Sequence, residues 1–137
     1  MAVFKIVALT PATAITLWYL LAPQIELVGV KAAGGYTLDE VKEKVALGLA
    51  TVYVHPDAIA SGVLIVNLWQ ATAGNILRVW IARCDVREWI PPTVEFLKRL
   101  ARVNDVVRIE FFSPRKGWRR RLPEFSHTDG CYTLGGL

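Results

Sequence analysis

Two apolar runs, residues 62–70 (GVLIVNLWQ) and 76–83 (ILRVWIAR), constrain this chain more than any other feature. Both have strand length and are rich in β-branched and aromatic residues. Ala73-Gly74-Asn75 between them supplies turn chemistry, so the two pair as an antiparallel hairpin. In the second run Leu77, Val79 and Ile81 alternate with Arg78, Trp80 and Ala82, a period of two that sends the sets to opposite faces of a sheet.

The segments on either side extend this into a mixed α/β sheet. Residues 2–9 read as a short strand. Residues 12–31 read as a helix, with Pro23 predicting a break near Leu21–Ala22 and Gly34–Gly35 ending the segment. Thr37 and Glu40 form a capping box for a helix that carries Leu38, Val41 and Val45 on one side and stops at Gly48. Residues 50–55 alternate as a strand closed by Pro56–Asp57. Pro91–Pro92 open a helix to about Val103, with Val94, Leu97, Leu100 and Ala101 inward and Glu95, Lys98, Arg99 and Arg102 outward; Asn104–Asp105 terminate it. A strand at 106–112, a short helix at 116–122 and a last strand near 130–134 complete the order β-α-α-β-β-β-α-β-α-β, with Gly135–Gly136–Leu137 loose. The expectation is one α/β (mixed) domain over residues 1–137, with about six strands.

At 137 residues the chain is one domain by size, and 53% hydrophobic residues can fill its core. A mean hydropathy of +0.35 and five Trp leave apolar surface for a partner, and a homo-oligomer or larger assembly weighs evenly against a monomer. The apolar stretch 14–22 is shorter than the roughly 18–20 residues of a spanning helix, so no membrane span is expected. A single Lys5, with no cleavage-like region following, reads poorly as a signal peptide. Cys84 and Cys131, His55 and His127 stand at no metal-ligand or disulfide spacing, so no metal site is expected, and a reducing cytoplasm fits.

Charge is concentrated in one place. Arg115, Lys116, Arg119, Arg120 and Arg121 fall within seven residues, while the whole chain carries +4, so the remainder sums to about −1. Such a run is either a solvated helix face or a contact patch for nucleic-acid phosphate or an acidic protein. Trp118 within it either stacks on a base or fills the core. Trp69, Trp80 and Trp89, on or after the hairpin, are core residues or aromatic docking anchors.

The element order, and GWRRRLPEF followed by a strand, resemble the GNAT acyltransferase fold. Trp18 with Pro23, the helix from Thr37 to Gly48, and the strand 106–112 leading to Gly117–Trp118 resemble features of small GNAT-like proteins encoded by tailed phages. Some short-tailed phages carry GNAT-like polypeptides among their internal virion proteins. The resemblance therefore implies a virion structural or internal component, acting in assembly or ejection, in the virion or the host cytoplasm, with other virion proteins and DNA as partners.

The resemblance also implies a place for acetyl-CoA, where GNAT enzymes hold the pyrophosphate on backbone amides in an Arg/Gln-x-x-Gly-x-Gly/Ala loop. The matching residues here are Arg83, Cys84, Asp85, Val86, Arg87 and Glu88, followed by Trp89-Ile90-Pro91-Pro92. No glycine is present, two prolines remove donors, and Asp85 and Glu88 repel phosphate. Arg83 and Arg87 compensate only as side chains. Asp85 and Glu88 are better explained by charge complementarity at a helix N-terminus than as an acid/base pair.

If Phe125 matches the family's late Phe, the usual acid Tyr is replaced by Arg120 or Arg121, which cannot donate a proton. Tyr132 lies on the last strand, and the fourth strand offers no Glu. The expectation is thus a non-catalytic GNAT-like protein without cofactor. Alternatives are an active N-acetyltransferase using acetyl-CoA and a basic nucleic-acid-binding module.

Overall fold

The computed structural model describes residues 4–29, 36–113 and 117–136. Its centre is the expected hairpin, β3 (Gly62–Ala71) paired antiparallel with β4 (Gly74–Cys84). Outward from β3 lie β2 (Thr51–Val54) and β1 (Val7–Leu9), both antiparallel. On the other side β5 (Arg108–Phe112) runs parallel to β4, followed by β7 (Cys131–Gly135) and β6 (Ser126–Thr128). The sheet has seven strands, ordered β1-β2-β3-β4-β5-β7-β6.

Helices cover both faces of the sheet. Helices α1 (Pro11–Thr16), α2 (Trp18–Gly29) and α3 (Leu38–Ala46) enclose a core of Leu21, Ile25, Val41, Val45, Ile65 and Ile81. Helices α4 (Ile90–Val103) and α5 (Trp118–Arg121) cover the opposite face, where Val94, Leu97 and Ala101 meet Leu77, Val79, Ile109 and Tyr132. The α3 cap forms as the sequence indicates: Thr37 Oγ1 accepts from the Glu40 amide at 3.1 Å and Glu40 Oε1 accepts from the Thr37 amide at 3.3 Å. Helix α4 stops at Asn104, with Asp105 at φ +53° and the Val106 amide returning to the Ala101 carbonyl at 3.1 Å.

Three expectations need correction. The first helix breaks at Leu17 and not at Leu21–Ala22, and Pro23 lies within α2. Proline deprives the carbonyl four residues back of its donor. That residue is Tyr19, 71% exposed, so its carbonyl can turn to water and the helix continues. The central turn is Thr72–Ala73, one step earlier than expected, and Gly74 already pairs with Ala71. The last strand is in fact a hairpin, β6–β7, turning at Asp129 (φ +49°) and Gly130 (φ +81°). Two positive-φ residues are what a two-residue primed turn requires, and this adds the seventh strand. Of the strand expected over 2–9, residues 4–6 are described and lie outside β1, which begins at Val7; residues 2–3, Gly34 and Gly35 lie outside the described residues.

Gly74 is fixed by both conformation and space. Its φ is +131°, and a Cβ there would sit 2.8 Å from Val107 Cγ1. Gly74→Ala is therefore expected to lower stability by about 1–3 kcal/mol from backbone strain alone, read by urea denaturation. Adding Val107→Ala should recover only the steric part; complete recovery would show that φ carries no cost here.

Candidate functional site

The sheet splits where β4 and β5 part. They pair only from Ile76–Arg108 to Val79–Phe111, and β4 continues to Cys84 without β5 beside it. At the same point Ile65 pairs with Ile81 while Val66 pairs with Val79, leaving Trp80 as an extra residue on β4. This β-bulge reverses the side-chain alternation. Leu77 and Val79 face α4, whereas Ile81 faces α1–α3. The uninterrupted alternation expected through Leu77, Val79 and Ile81 is therefore broken.

Between the parted strands lies a cleft of about 560 Å³, walled by Val79, Ala82, Thr93, Val94, Phe111 and Trp118 among others. Arg83, Cys84 and Asp85 stand at its β4 end and Arg121 on its α5 wall. The Arg83 guanidinium is committed on two sides, to Asp85 Oδ1 at 3.1 Å and to Gln24 Oε1 at 3.2 Å. Gln24 is buried and donates in turn to the Leu20 and Ile59 carbonyls, so Arg83 ties β4 to α2. Cys84 donates its thiol proton to the Val86 carbonyl at 3.0 Å. Burial pushes this thiol's pKa up; the hydrogen bond opposes the shift, and the charges of Asp85 and Glu88 add to it.

The loop offers few amides. The Asp85 amide goes to the Ser61 carbonyl at 2.8 Å, and the Trp89 amide closes a 3₁₀ turn (Arg87–Trp89) on Val86 at 3.0 Å. Pro91 and Pro92 have none. Among the described residues, only Val86, Arg87 and Glu88 of the loop keep amides without a protein acceptor, and the Arg87 and Glu88 side chains are exposed.

His55 also lines the cleft, a placement not foreseen from its isolation in sequence. Its Nδ1 lies 2.6 Å from the Lys5 carbonyl; a carbonyl only accepts, so Nδ1 is the donor. The ring sits 4.1 Å from that of Trp89. The available signal was its position at the end of a strand parallel to β4.

The four tryptophans singled out as core or docking candidates take different roles. Trp89 is buried and is a core residue. Trp80 is half-buried, edge-on to Tyr36 at 5.6 Å, whose phenol burial pushes up to about 12. Trp118 is half-buried against Phe111 at 6.0 Å. Trp69 is half exposed.

The described part of the basic run, Arg119–Arg121, does not present one face. Arg119, Arg120 and Arg121 occupy a single turn and span about 200° of it. Arg119 Nε donates to His127 Nδ1 at 2.9 Å, Arg121 reaches the cleft, and Arg120 is exposed. Arg115 and Lys116 lie outside the described residues. Arg121 is one of the two positions matched to the family's acid, and Tyr132 is stacked on Phe111 at 4.7 Å, away from the cleft lining.

No family model matches the sequence, and no curated protein is similar to it. Solved structures do match. A chain of the NatC complex, in a structure bound to Gag peptide and CoA, superposes with a TM-score of 0.66 at 10% identity, over 98% of this chain and 100% of that one. The fold is that of the GNAT acetyltransferases. A GNAT-family acetyltransferase from Listeria monocytogenes gives 0.60 at 11% identity, over 93% and 92%. An aminoglycoside acetyltransferase from an uncultured soil sample gives 0.59 at 12%, over 87% and 82%. Identities this low carry the fold alone. No described helix is long and apolar enough to cross a membrane.

The raised thiol pKa makes a direct prediction. A thiol held protonated is a poor nucleophile, so iodoacetamide should modify Cys84 more slowly than free cysteine at pH 8, and the gap should narrow as pH rises. Mass mapping of the Cys84 peptide reads this; equal rates at pH 8 would contradict it.

Proposed function

We propose that this chain is a GNAT-fold protein that does not transfer acyl groups and serves as an interaction component of a phage particle or its assembly. The observation that carries the reading is the chemistry of the loop between β4 and α4. GNAT enzymes need unpaired amides and no negative charge at that point. Here the Asp85 amide is taken, two prolines have none, and Arg83 is held by Asp85 and Gln24. Three amides remain, but they lie between the carboxylates of Asp85 and Glu88. These residues do not fit a pyrophosphate. An arginine at either of the two positions matched to the acid supports the same conclusion. The phage setting rests on the sequence resemblance.

The open cleft favours a second reading, an N-acetyltransferase with an unusual cofactor loop. One experiment separates the two. At a cofactor concentration 100-fold above Kd, binding adds about 2.7 kcal/mol, which for a chain of this size is on the order of 10 °C in Tm. The expectation is no shift with millimolar acetyl-CoA. A concentration-dependent rise, together with CoA release in the presence of an amine, would establish the enzyme reading instead.

The exposed cations of α5 bear on DNA. If they meet phosphate, replacing Arg119, Arg120 and Arg121 with Gln should flatten the log–log salt dependence of duplex binding by up to about three, roughly 0.9 per contact. An unchanged slope by fluorescence anisotropy would remove DNA as the partner of this run.

A further inference from the structure

Among the described residues, the face of the sheet opposite α4 is only partly covered. The core beneath α1–α3 includes Ile65 and Ile81 but, among the described residues, nothing from β5, β6 or β7. On the uncovered part, Arg78 Nε and Nη2 both donate to Glu110 Oε1, at 3.0 and 2.7 Å. Arg108 Nε donates to Glu110 Oε2 at 3.3 Å. The Arg78 guanidinium lies 4.7 Å over the Trp69 ring and 5.8 Å from that of Phe112. Trp69 and Phe112 are 50% and 48% exposed, while Glu110 is only 5% exposed. Ile76, cross-strand from Trp69 and Arg108, is buried yet belongs to neither core.

This is a built surface. A buried carboxylate fixes two guanidinium groups, two half-exposed aromatics flank one of them, and an aliphatic residue forms the floor. Aromatic and Arg anchors of this kind carry binding energy at interfaces. We propose that the surface docks an extended, carboxylate-bearing segment of another protein, with Arg108 receiving the carboxylate and Trp69 and Phe112 packing on its apolar side chains. The proposal rests on the interaction reading above and names the partner's chemistry.

Charge and area select this occupant. Glu110 is enclosed and shared by two arginines, so the exposed surface is positive. Arg108 uses only Nε, and its two terminal nitrogens have no acceptor among the described residues. A second copy related by two-fold symmetry would oppose arginines to arginines. Four strands at about 4.8 Å and five residues at about 3.3 Å enclose roughly 300 Å², well short of the approximately 800 Å² per partner of a stable interface. An extended segment needs no more than this. Single-stranded nucleic acid fits less well, because Arg78 already occupies one face of the Trp69 ring and a lone uncommitted arginine cannot track a phosphate backbone.

The test uses the full chain and three fluorescein-labelled probes: a decapeptide alternating Glu and Leu, its Lys-for-Glu counterpart, and a ten-residue oligo-dT. Anisotropy should show binding of the Glu peptide alone. Arg108→Gln and Trp69→Ala should each weaken it about tenfold or more. Both replace partly exposed side chains, and an unchanged Tm checks folding. The NMR indole signal of Trp69 should shift on titration with the Glu peptide. No binding of the Glu peptide, equal binding of the Lys peptide, tighter binding of oligo-dT, or indifference to both substitutions would each overturn the proposal. Acetyl-CoA is absent throughout, so a cofactor-dependent Tm shift would defeat the non-catalytic reading without touching this one, and peptide failure would do the reverse.

Discussion

The extra residue at Trp80 is the constraint on which the rest of the molecule depends. Up to Val79, β4 shares a regular ladder with β3 and a parallel ladder with β5. With one more residue on β4, side chains change faces, and the parallel ladder to β5 ends at the same step. From there β4 serves α2 through Arg83 and Gln24, while β5 serves α5 through Phe111 and Trp118. The cleft is the space between these two commitments. Without the bulge Ile81 would point at α4, and the core under α1–α3 would lose a fully buried residue.

The two ends of β4 therefore have separate chemistry. At the C-terminal end, the Asp85 and Trp89 amides are spent on local structure and Arg83 is held by Asp85 and Gln24. At the N-terminal end, Arg78 and Glu110 meet across the parallel ladder in direct register. Removing water from that ion pair is costly unless its remaining hydrogen bonds are met. Arg108 and the rings of Trp69 and Phe112 supply that surrounding. Such a pair is weak evidence of stability but strong evidence of a fixed geometry, because each member restricts the rotamers of the others.

Much of the fold was legible in the sequence because its signals are local. The capping box at Thr37–Glu40, the paired prolines opening α4 and the Asn104–Asp105 stop each depend on residues within one turn. The β6–β7 hairpin was missed, because strand and turn are so short that the run reads as one element. The break at Leu17 was not legible. Proline's cost depends on whether the Tyr19 carbonyl can reach water, and exposure is a tertiary property. The candidate site was legible as a loop poor in donors, whereas His55 and the Arg78–Glu110 pair were not, since their partners lie 50 and 32 residues away.

By itself, then, the sequence determined a mixed sheet around one hairpin, the order of its helices and the composition of the β4–α4 loop, because propensity, capping and side-chain charge act over a few residues. The tertiary structure decided which tryptophans are core, how the basic run is divided, and where the sheet opens. Those outcomes depend on register between strands distant in sequence. A single inserted residue moves every later side chain to the other face, and nothing in the alternation of Val79, Trp80 and Ile81 marks that insertion.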